Sequence, residues 1–203
     1  MYSDEYGVVC KSETLLNGIK YFFDNNGVLI NKTEDNNLVV KWIKNATRYW
    51  CQKADLTWPK NQFEKIGNKW YYFDNSGYVI SGWKQLGVNR YYFGDIMDGA
   101  MKTGWQLIKN KYYYFGDTDD GHMFTGLLPY EGKYYYLNED GIMQIGGLFW
   151  NNNWYYLNND GSMVIGWKWN IDGKWYYMNS SGAMMRNTII EGFKIGPDGV
   201  YIN

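Results

Sequence analysis

The side chains of this chain that could do chemistry are aromatic. Tyr occurs 21 times, Trp 11 times and Phe 9 times, and together they make up 20% of 203 residues. Arrangements for bond-breaking chemistry are missing. Neither Gly-x-Ser-x-Gly, His-Glu-x-x-His, a Cys–His pairing nor a phosphate loop occurs in the sequence. The one histidine, His122, stands at a repeat position that Ala100, Ile142, Ser162 and Ala183 fill in other copies. A position so permissive reads as a surface turn, not as a general base. Acids such as Asp74, Asp140 and Asp160 fall in turns, where their side chains bond their own backbone. The run Asp117-Thr118-Asp119-Asp120-Gly121 has the acids of a calcium loop but not the bidentate Glu that must follow, so a widened turn is expected. The expectation is a binding chain, not an enzyme, with no metal and no cofactor. Tyr and Trp suit binding because each offers a large rigid face with a polar tip.

The elements that must position these rings form a repeat. Six copies are clear: WYYFDNSG (70–77), RYYFGDIMDG (90–99), YYYFGDTDDG (112–121), YYYLNEDG (134–141), WYYLNNDG (154–161) and WYYMNSSG (175–182). Their closing glycines, from Gly77 to Gly182, are spaced by 22, 22, 20, 20 and 21 residues. A fixed period of this length means stacked supersecondary units, each covering its neighbour's apolar face. Within a copy, Trp70-Tyr71-Tyr72-Phe73 has the composition of a strand, and Asp74-Asn75-Ser76-Gly77 has the composition of a turn. Gly82-Trp83 opens the next short strand, and Leu86-Gly87-Val88-Asn89 reverses the chain into Tyr91-Tyr92-Phe93. The fold class expected is an all-β solenoid of stacked two-stranded β-hairpins, without helices. A lone hairpin is marginal in water, so stacking must stabilise it. Period two places Trp70 and Tyr72 on one face and Tyr71 and Phe73 on the other. One face can fill the interior while the other lines the groove between consecutive hairpins.

Three segments are expected: divergent repeats over 1–66, regular hairpins over 67–186 and a capping unit over 187–203. KYFFDNNG (20–27) is a copy, 41–52 reads as a hairpin without its glycine turn, and Pro59 rules out a central strand in the connection over 53–66. Tyr2 to Gly7 reads as the end of an earlier copy, which suggests a piece of a longer parent with Met1 added. The net charge of −1 favours neither nucleic acid nor an anionic surface. No run of about 18 apolar residues exists to span a bilayer, and residues 1–20 lack the pattern of a signal peptide. Cys10 and Cys51 leave two readings open, a disulfide or two buried thiols.

The segment GWKWNIDGKWYYMNSSGAMM (166–185) resembles the cell-wall-binding repeat family, which includes choline-binding modules of bacterial lysins and surface proteins and glucan-binding repeats of glucansucrases. The shared pattern is Gly-Trp, a short loop, Trp-Tyr-Tyr-aliphatic, an Asn/Asp-rich turn, Gly, then Met. The likeness is strong over 67–203 and weak over 1–66. NEDGIMQIGGLF (138–149) and the Tyr-Tyr-Phe units are also similar to the C-terminal receptor-binding repeats of large clostridial toxins. The first resemblance implies an anchoring module of a secreted, cell-wall-associated protein, with choline or glycan groups of the wall as partners. The second implies a host-glycan receptor-binding domain.

Choline sites in the family lie between consecutive hairpins, walled by the Gly-Trp tryptophan, the Trp of Trp-Tyr-Tyr and a Tyr of the adjoining unit, often with a Met. Carried over, the resemblance implies one cage from Trp70, Trp83 and Tyr92. It implies another from Trp154, Trp167 and Tyr177, with Met163 as its floor. Trp105 with Tyr114, and Trp175, take the same roles in their own copies. The chemistry fits, because a quaternary ammonium cannot hydrogen-bond and is held by aromatic faces, each worth about 0.5–2 kcal/mol. The pattern has gaps. Arg90 stands where the first Trp belongs, Tyr112 and Tyr134 replace that Trp, and Leu127 and Leu148 are expected at the Gly-Trp tryptophan. Copies without a cage are expected to be silent or to take a sugar, whose apolar face stacks on Trp or Tyr.

Overall fold

The computed structural model describes residues 12–16, 19–23, 29–34, 39–44, 48–53, 57–95 and 98–202. These residues form β-strands and no helix, so none is long and apolar enough to cross a membrane. Two compact units are present, Met1–Thr103 with Asp117–His122, and Gly104–Gly116 with Met123–Asn203.

The second unit shows the repeat most plainly. Gly104–Ile108 pairs antiparallel with Lys111–Phe115, Gly126–Tyr130 with Lys133–Leu137, Gly146–Trp150 with Asn153–Leu157, and Gly166–Trp169 with Trp175–Met178. The reversals at Lys109-Asn110, Glu131-Gly132 and Asn151-Asn152 have positive φ at both residues. That is the turn whose twist matches the right-handed twist of paired strands. The unit ends in a three-stranded sheet, Thr188–Ile190, Phe193–Ile195 and Tyr201–Ile202.

The first unit repeats this with Gln62–Ile66 paired to Lys69–Phe73, and Gly82–Leu86 to Asn89–Phe93. Here only the first turn residue, Gly67 or Gly87, has positive φ. The hairpin expected without a glycine turn is present as Val39–Lys44 with Tyr49–Lys53. Ile19–Phe23 pairs on both sides, with Ser12–Leu16 and with Leu29–Glu34. That sheet is three-stranded where the sequence pattern predicts two strands. The earlier copy read at Tyr2 to Gly7 lies outside the described residues. So does Cys10, and with it the question of a disulfide, although Cys51 is fully buried beside Tyr71 and Phe73.

The aromatic strand divides its rings as period two requires. Its fourth residue is wholly buried in five copies: Phe73, Phe93, Phe115, Leu137 and Leu157 each have 0% exposure. Tyr71, Tyr91, Tyr113 and Tyr155 share that face and are buried as well. Each such side chain contributes about 1.5–3 kcal/mol on burial. The first residue of the strand faces outward, and Tyr112, Tyr134, Trp154 and Trp175 are all exposed.

Backbone bonds stitch one hairpin to the next. Met143 N donates to Tyr112 O at 2.9 Å, Met163 N to Tyr134 O at 2.7 Å, and Met184 N to Trp154 O at 2.8 Å. In the first unit Val79 N reaches Tyr49 O at 2.8 Å, and Met101 N reaches Trp70 O at 2.7 Å. The turn before each stitch is held by a side-chain oxygen. Asn138 Oδ1 accepts from the backbone of Asp140 and Ile142, and Asp74 Oδ1 from Ser76 and Tyr78. Asp74 and Asp160 thus bond their own turns as predicted, while at Asp140 the neighbouring Asn138 is the acceptor.

The closing glycines answer a steric demand. Gly161 has φ +82°, and a Cβ there would overlap the sulfur of Met143 from the preceding repeat. Gly141 stands in the same relation to Met123, and Gly182 to Met163. Gly166 has a similar φ, +84°, but open space beside it. Gly166→Ala should therefore cost about 1–2 kcal/mol, the conformational term alone. Gly161→Ala should add an overpacking cost of about 1–3 kcal/mol. Denaturant unfolding of the two variants measures the difference.

Candidate functional site

Cross-strand register builds the site. In each hairpin the residue after the opening glycine lies opposite the third residue of the aromatic strand. The pairs are Trp83↔Tyr92, Trp105↔Tyr114 and Trp167↔Tyr177. Their ring centroids are 5.1, 5.3 and 5.2 Å apart, with edge-to-face planes. That geometry is the preferred one for aromatic pairs, and it leaves ring faces open to a third body.

The following hairpin closes the box. Tyr130 and Tyr135 lie 6.2 and 5.1 Å from Trp105, again edge-on, and Tyr130 is 5.5 Å from Tyr114. Around Trp167 the terminal sheet supplies Phe193 at 5.6 Å and Tyr201 at 6.0 Å, and Trp175 stands at 6.5 Å. Trp167, Trp175, Phe193 and Tyr201 line an open cavity of about 380 Å³ whose lining carries no charged side chain. At the Trp105 cage, a bond to the Glu131 carboxylate holds the Tyr130 phenol above its ordinary range. A negative group thus sits at that cage's edge.

Other copies fill the box or change it. Leu127 takes the tryptophan's position beside Tyr136, and Trp150 packs 5.5 Å from Tyr136 and 5.6 Å from Tyr155. Phe63 packs on Tyr72 and Tyr91 at 5.1 and 5.3 Å, with Leu86 against the same cluster. Trp42 meets Tyr71 at 5.0 Å. In the Gly146–Trp150 hairpin the register puts Gly147 opposite Tyr156. The family pattern predicts Leu148 at the tryptophan's position. The pairing shifts this by one, because Gly146 and not Gly147 is the opening glycine. Leu148 turns to the core with Tyr155 and Leu157. A cavity of about 530 Å³ opens at Gly147.

The residues singled out from the sequence are therefore grouped differently from the carried-over cages. Trp83 pairs with Tyr92, but the guanidinium of Arg90 lies 4.3 Å over the Trp83 ring. Trp70 packs edge-on against Phe63 at 6.4 Å, and its Nε1 donates to Asp119 at 3.1 Å. Lys65 Nζ sits 5.5 Å over the Trp70 ring and pairs with the same Asp119 at 2.8 Å. This accounts for an acid in the Asp117–Gly121 turn. Trp105 and Tyr114 share one cage, and Trp167, Trp175 and Tyr177 share another. Trp154 stacks near Phe149 at 5.3 Å and lines the Gly147 cavity, away from the Trp167 cage. Met163 is buried with Tyr155 and Leu157, so it belongs to the core and not to a cage floor. His122 Nδ1 is 2.7 Å from Asp120 Oδ1, close enough for an ion pair yet not aligned as a hydrogen bond.

Sequence reasoning missed Tyr130, Tyr135, Phe193 and Tyr201. Tyr130 follows Pro129 outside the Tyr-Tyr motif, and Phe193 and Tyr201 lie in the tail read as a cap. Their signal was positional. The Trp105 cage draws on the end of the next hairpin's first strand, Tyr130, and on the second residue of its aromatic strand, Tyr135, whereas the Trp167 cage draws on the second and third strands of the terminal sheet.

A stacked-hairpin fold with aromatic boxes between hairpins defines a class of aromatic repeat modules. Comparison with known proteins agrees. The choline-binding repeat matches residues 102–145 and 150–188, and the putative cell wall binding repeat matches 15–29 and 61–79. Choline binding protein F from Streptococcus pneumoniae is 26% identical over all of this chain and 74% of its own, with a TM-score of 0.72. CbpJ from the same organism is 30% identical over 90% of this chain and 62% of its own, with a TM-score of 0.70. A lysin of Pneumococcus phage Dp-1 is 43% identical over 42 residues, which are 20% of this chain and only 14% of the lysin. The chain belongs to the cell-wall-binding family of choline-binding repeats.

One titration checks the geometry near the Gly147 cavity. Tyr176 OH donates to Asp172 Oδ2 at 2.6 Å, and this bond pushes the phenol up to about 12. The same bond lowers the Asp172 carboxyl. A raised phenol contributes stability below its unfolded value near 10 and loses it as pH rises through about 12. Asp172→Asn should return the Tyr176 transition toward about 10, read as phenolate absorbance during an alkaline titration.

Proposed function

We propose that this chain docks on choline-type quaternary ammonium groups of a bacterial cell wall, through the cages at Trp105 and Trp167. The observation that carries this reading is the Trp167 cavity, walled by four aromatic rings without a charged side chain. A quaternary ammonium has no proton to donate and is held by ring faces alone, at about 0.5–2 kcal/mol for each contact. The lining offers a sugar's hydroxyls no charged partner. The carboxylate beside Tyr130 favours a cation at the other cage. Structures of relatives support the wall as the target. Choline binding protein F was solved in the presence of a peptidoglycan analogue, and the modular autolysin LytC in complex with a synthetic peptidoglycan ligand. LytC is 25% identical over 94% of this chain, which corresponds to 42% of LytC.

The chain acts by binding, not by catalysis, and anchors a larger extracellular protein at the wall. One cage of this size binds with Kd near 1 mM, about −4 kcal/mol. Several cages facing a polymer raise the avidity by about 10²–10⁴. Arg90 silences the Trp83 face by covering it with an internal cation.

The chain should be retained on choline-bearing walls or a choline-type resin and be eluted by free choline. Failure to bind either removes the reading, and binding to host-glycan arrays alone would favour receptor recognition instead. Calorimetry of Trp105→Ala and Trp167→Ala should each show one choline site fewer. The stability loss should be well below the ~3–5 kcal/mol of a core truncation. Arg90→Trp should add a site, because it removes the covering cation and restores a ring.

A further inference from the structure

We propose that Met123 and Met184 are modification sites that govern the two cages: a peroxide converts each thioether to a sulfoxide, and the cage beside it loosens. For its effect on binding, this inference rests on the ammonium reading above.

Each of these methionines joins the two elements that wall one cage. Met123 lies between the strands Lys111–Phe115 and Gly126–Tyr130. Its backbone bridges Phe115 of the first hairpin, and its sulfur packs on Gly141, which closes the second. Trp105 and Tyr114 belong to the first hairpin, Tyr130 and Tyr135 to the second. Met184 repeats the arrangement before the terminal sheet. Its backbone bridges Met178, its N–H donates to Trp154 O at 2.8 Å, and its side chain packs on Gly199. Gly199 lies between Phe193–Ile195 and Tyr201–Ile202, the strands that carry the outer walls Phe193 and Tyr201 of the Trp167 cage.

The chemistry needs only a thioether that a small oxidant can reach. Met123 and Met184 are half-buried, whereas Met163 and Met178 are only 8% and 3% exposed. The sulfur attacks one oxygen of hydrogen peroxide, the O–O bond breaks and an S–O bond forms. Sulfur loses two electrons and the peroxide gains them. The other oxygen leaves as water after taking up the proton of the first.

The product does not fit the contact. The sulfur already lies where the glycine has no room for a Cβ, and the added oxygen is about as large as that missing carbon. A sulfoxide oxygen is also an acceptor that needs a donor. The Gly141 N–H is already given to Asn138 O at 2.8 Å, and the Gly199 N–H to Gly196 O at 3.1 Å. An unpaired buried acceptor is costly, so the turn moves outward and the cage walls move with it.

The test treats the full chain with hydrogen peroxide and locates added oxygen by peptide mass mapping. Met123 and Met184 should be oxidised well before Met163 and Met178. The melting temperature should fall by about 2–4 °C or more for each site. Choline affinity, read by calorimetry, should fall about tenfold. A methionine sulfoxide reductase should restore both. Met123→Leu combined with Met184→Leu keeps the volume and removes the sulfur, so choline binding should survive peroxide. A chain grown with norleucine in place of methionine repeats that arm without a change of shape, should the double variant fail to fold. Oxidation of both residues at an unchanged melting temperature, oxidation of both as slow as that of Met163, or an equal loss in the sulfur-free chains would overturn the proposal. The mapping and melting arms need no ligand. Absence of choline binding in the untreated chain therefore strikes the ammonium reading, while those two arms still decide the modification sites.

Discussion

The contact between a closing glycine and the side chain packed onto it, Val79 at Gly99 and a methionine from Gly121 onward, sets the spacing on which the rest of the structure depends. Gly141, Gly161 and Gly182 lie against Met123, Met143 and Met163 with no room for a Cβ. Left-handed backbone at the glycine turns the chain, and the absent side chain lets the turn close onto the sulfur. Methionine suits the place because its unbranched thioether adapts to an irregular gap. Met143 and Met163 also donate their backbone N–H groups to the preceding hairpin, so steric fit and hydrogen bond act at one residue. A two-stranded hairpin that would be marginal by itself is thereby covered and stitched.

Fixed spacing turns one backbone into several different sites. The residue after the opening glycine lies opposite a tyrosine in each of the five hairpins from Gly82 to Gly166. Tryptophan at that position makes a cage, as at Trp105 and Trp167. Leucine or phenylalanine fills the box with core, as at Leu127 and Phe63. Glycine opens a platform at Gly147. Internal cations add a second layer of control, since Arg90 and Lys168 lie over rings that would otherwise be free to hold a ligand's charge. The scaffold can vary its sites without altering the stack, because these positions face the groove while the fully buried Phe and Leu residues face inward.

Much of this was legible in the residues alone. The period, the aromatic strands, the all-β class, the division of Tyr71 and Phe73 from Trp70 and Tyr72, and the turn role of Asp74 follow from local chemistry. Turn residues, alternation and repeat length are all properties of short stretches of chain. The repeat signature around 166–185 likewise pointed to the family, because its spacing is what stacking demands.

Which rings share a box was decided by the tertiary structure. Leu148 and Gly147 are neighbours in sequence, yet only cross-strand pairing shows which one faces Tyr156. Trp154 and Trp175 head equivalent motifs, but one lines a polar platform and the other an aromatic cavity, because different following elements close over them. Trp70 is drawn to Asp119, 49 residues away, by a hydrogen bond that no local pattern records. Met163 belongs by type to a cage and by packing to the core. The repeat and its strands are short-range properties, which a linear pattern can encode. A binding site is made where two repeats meet, and its content depends on register, on neighbouring side chains and on the charges that fold back over the rings.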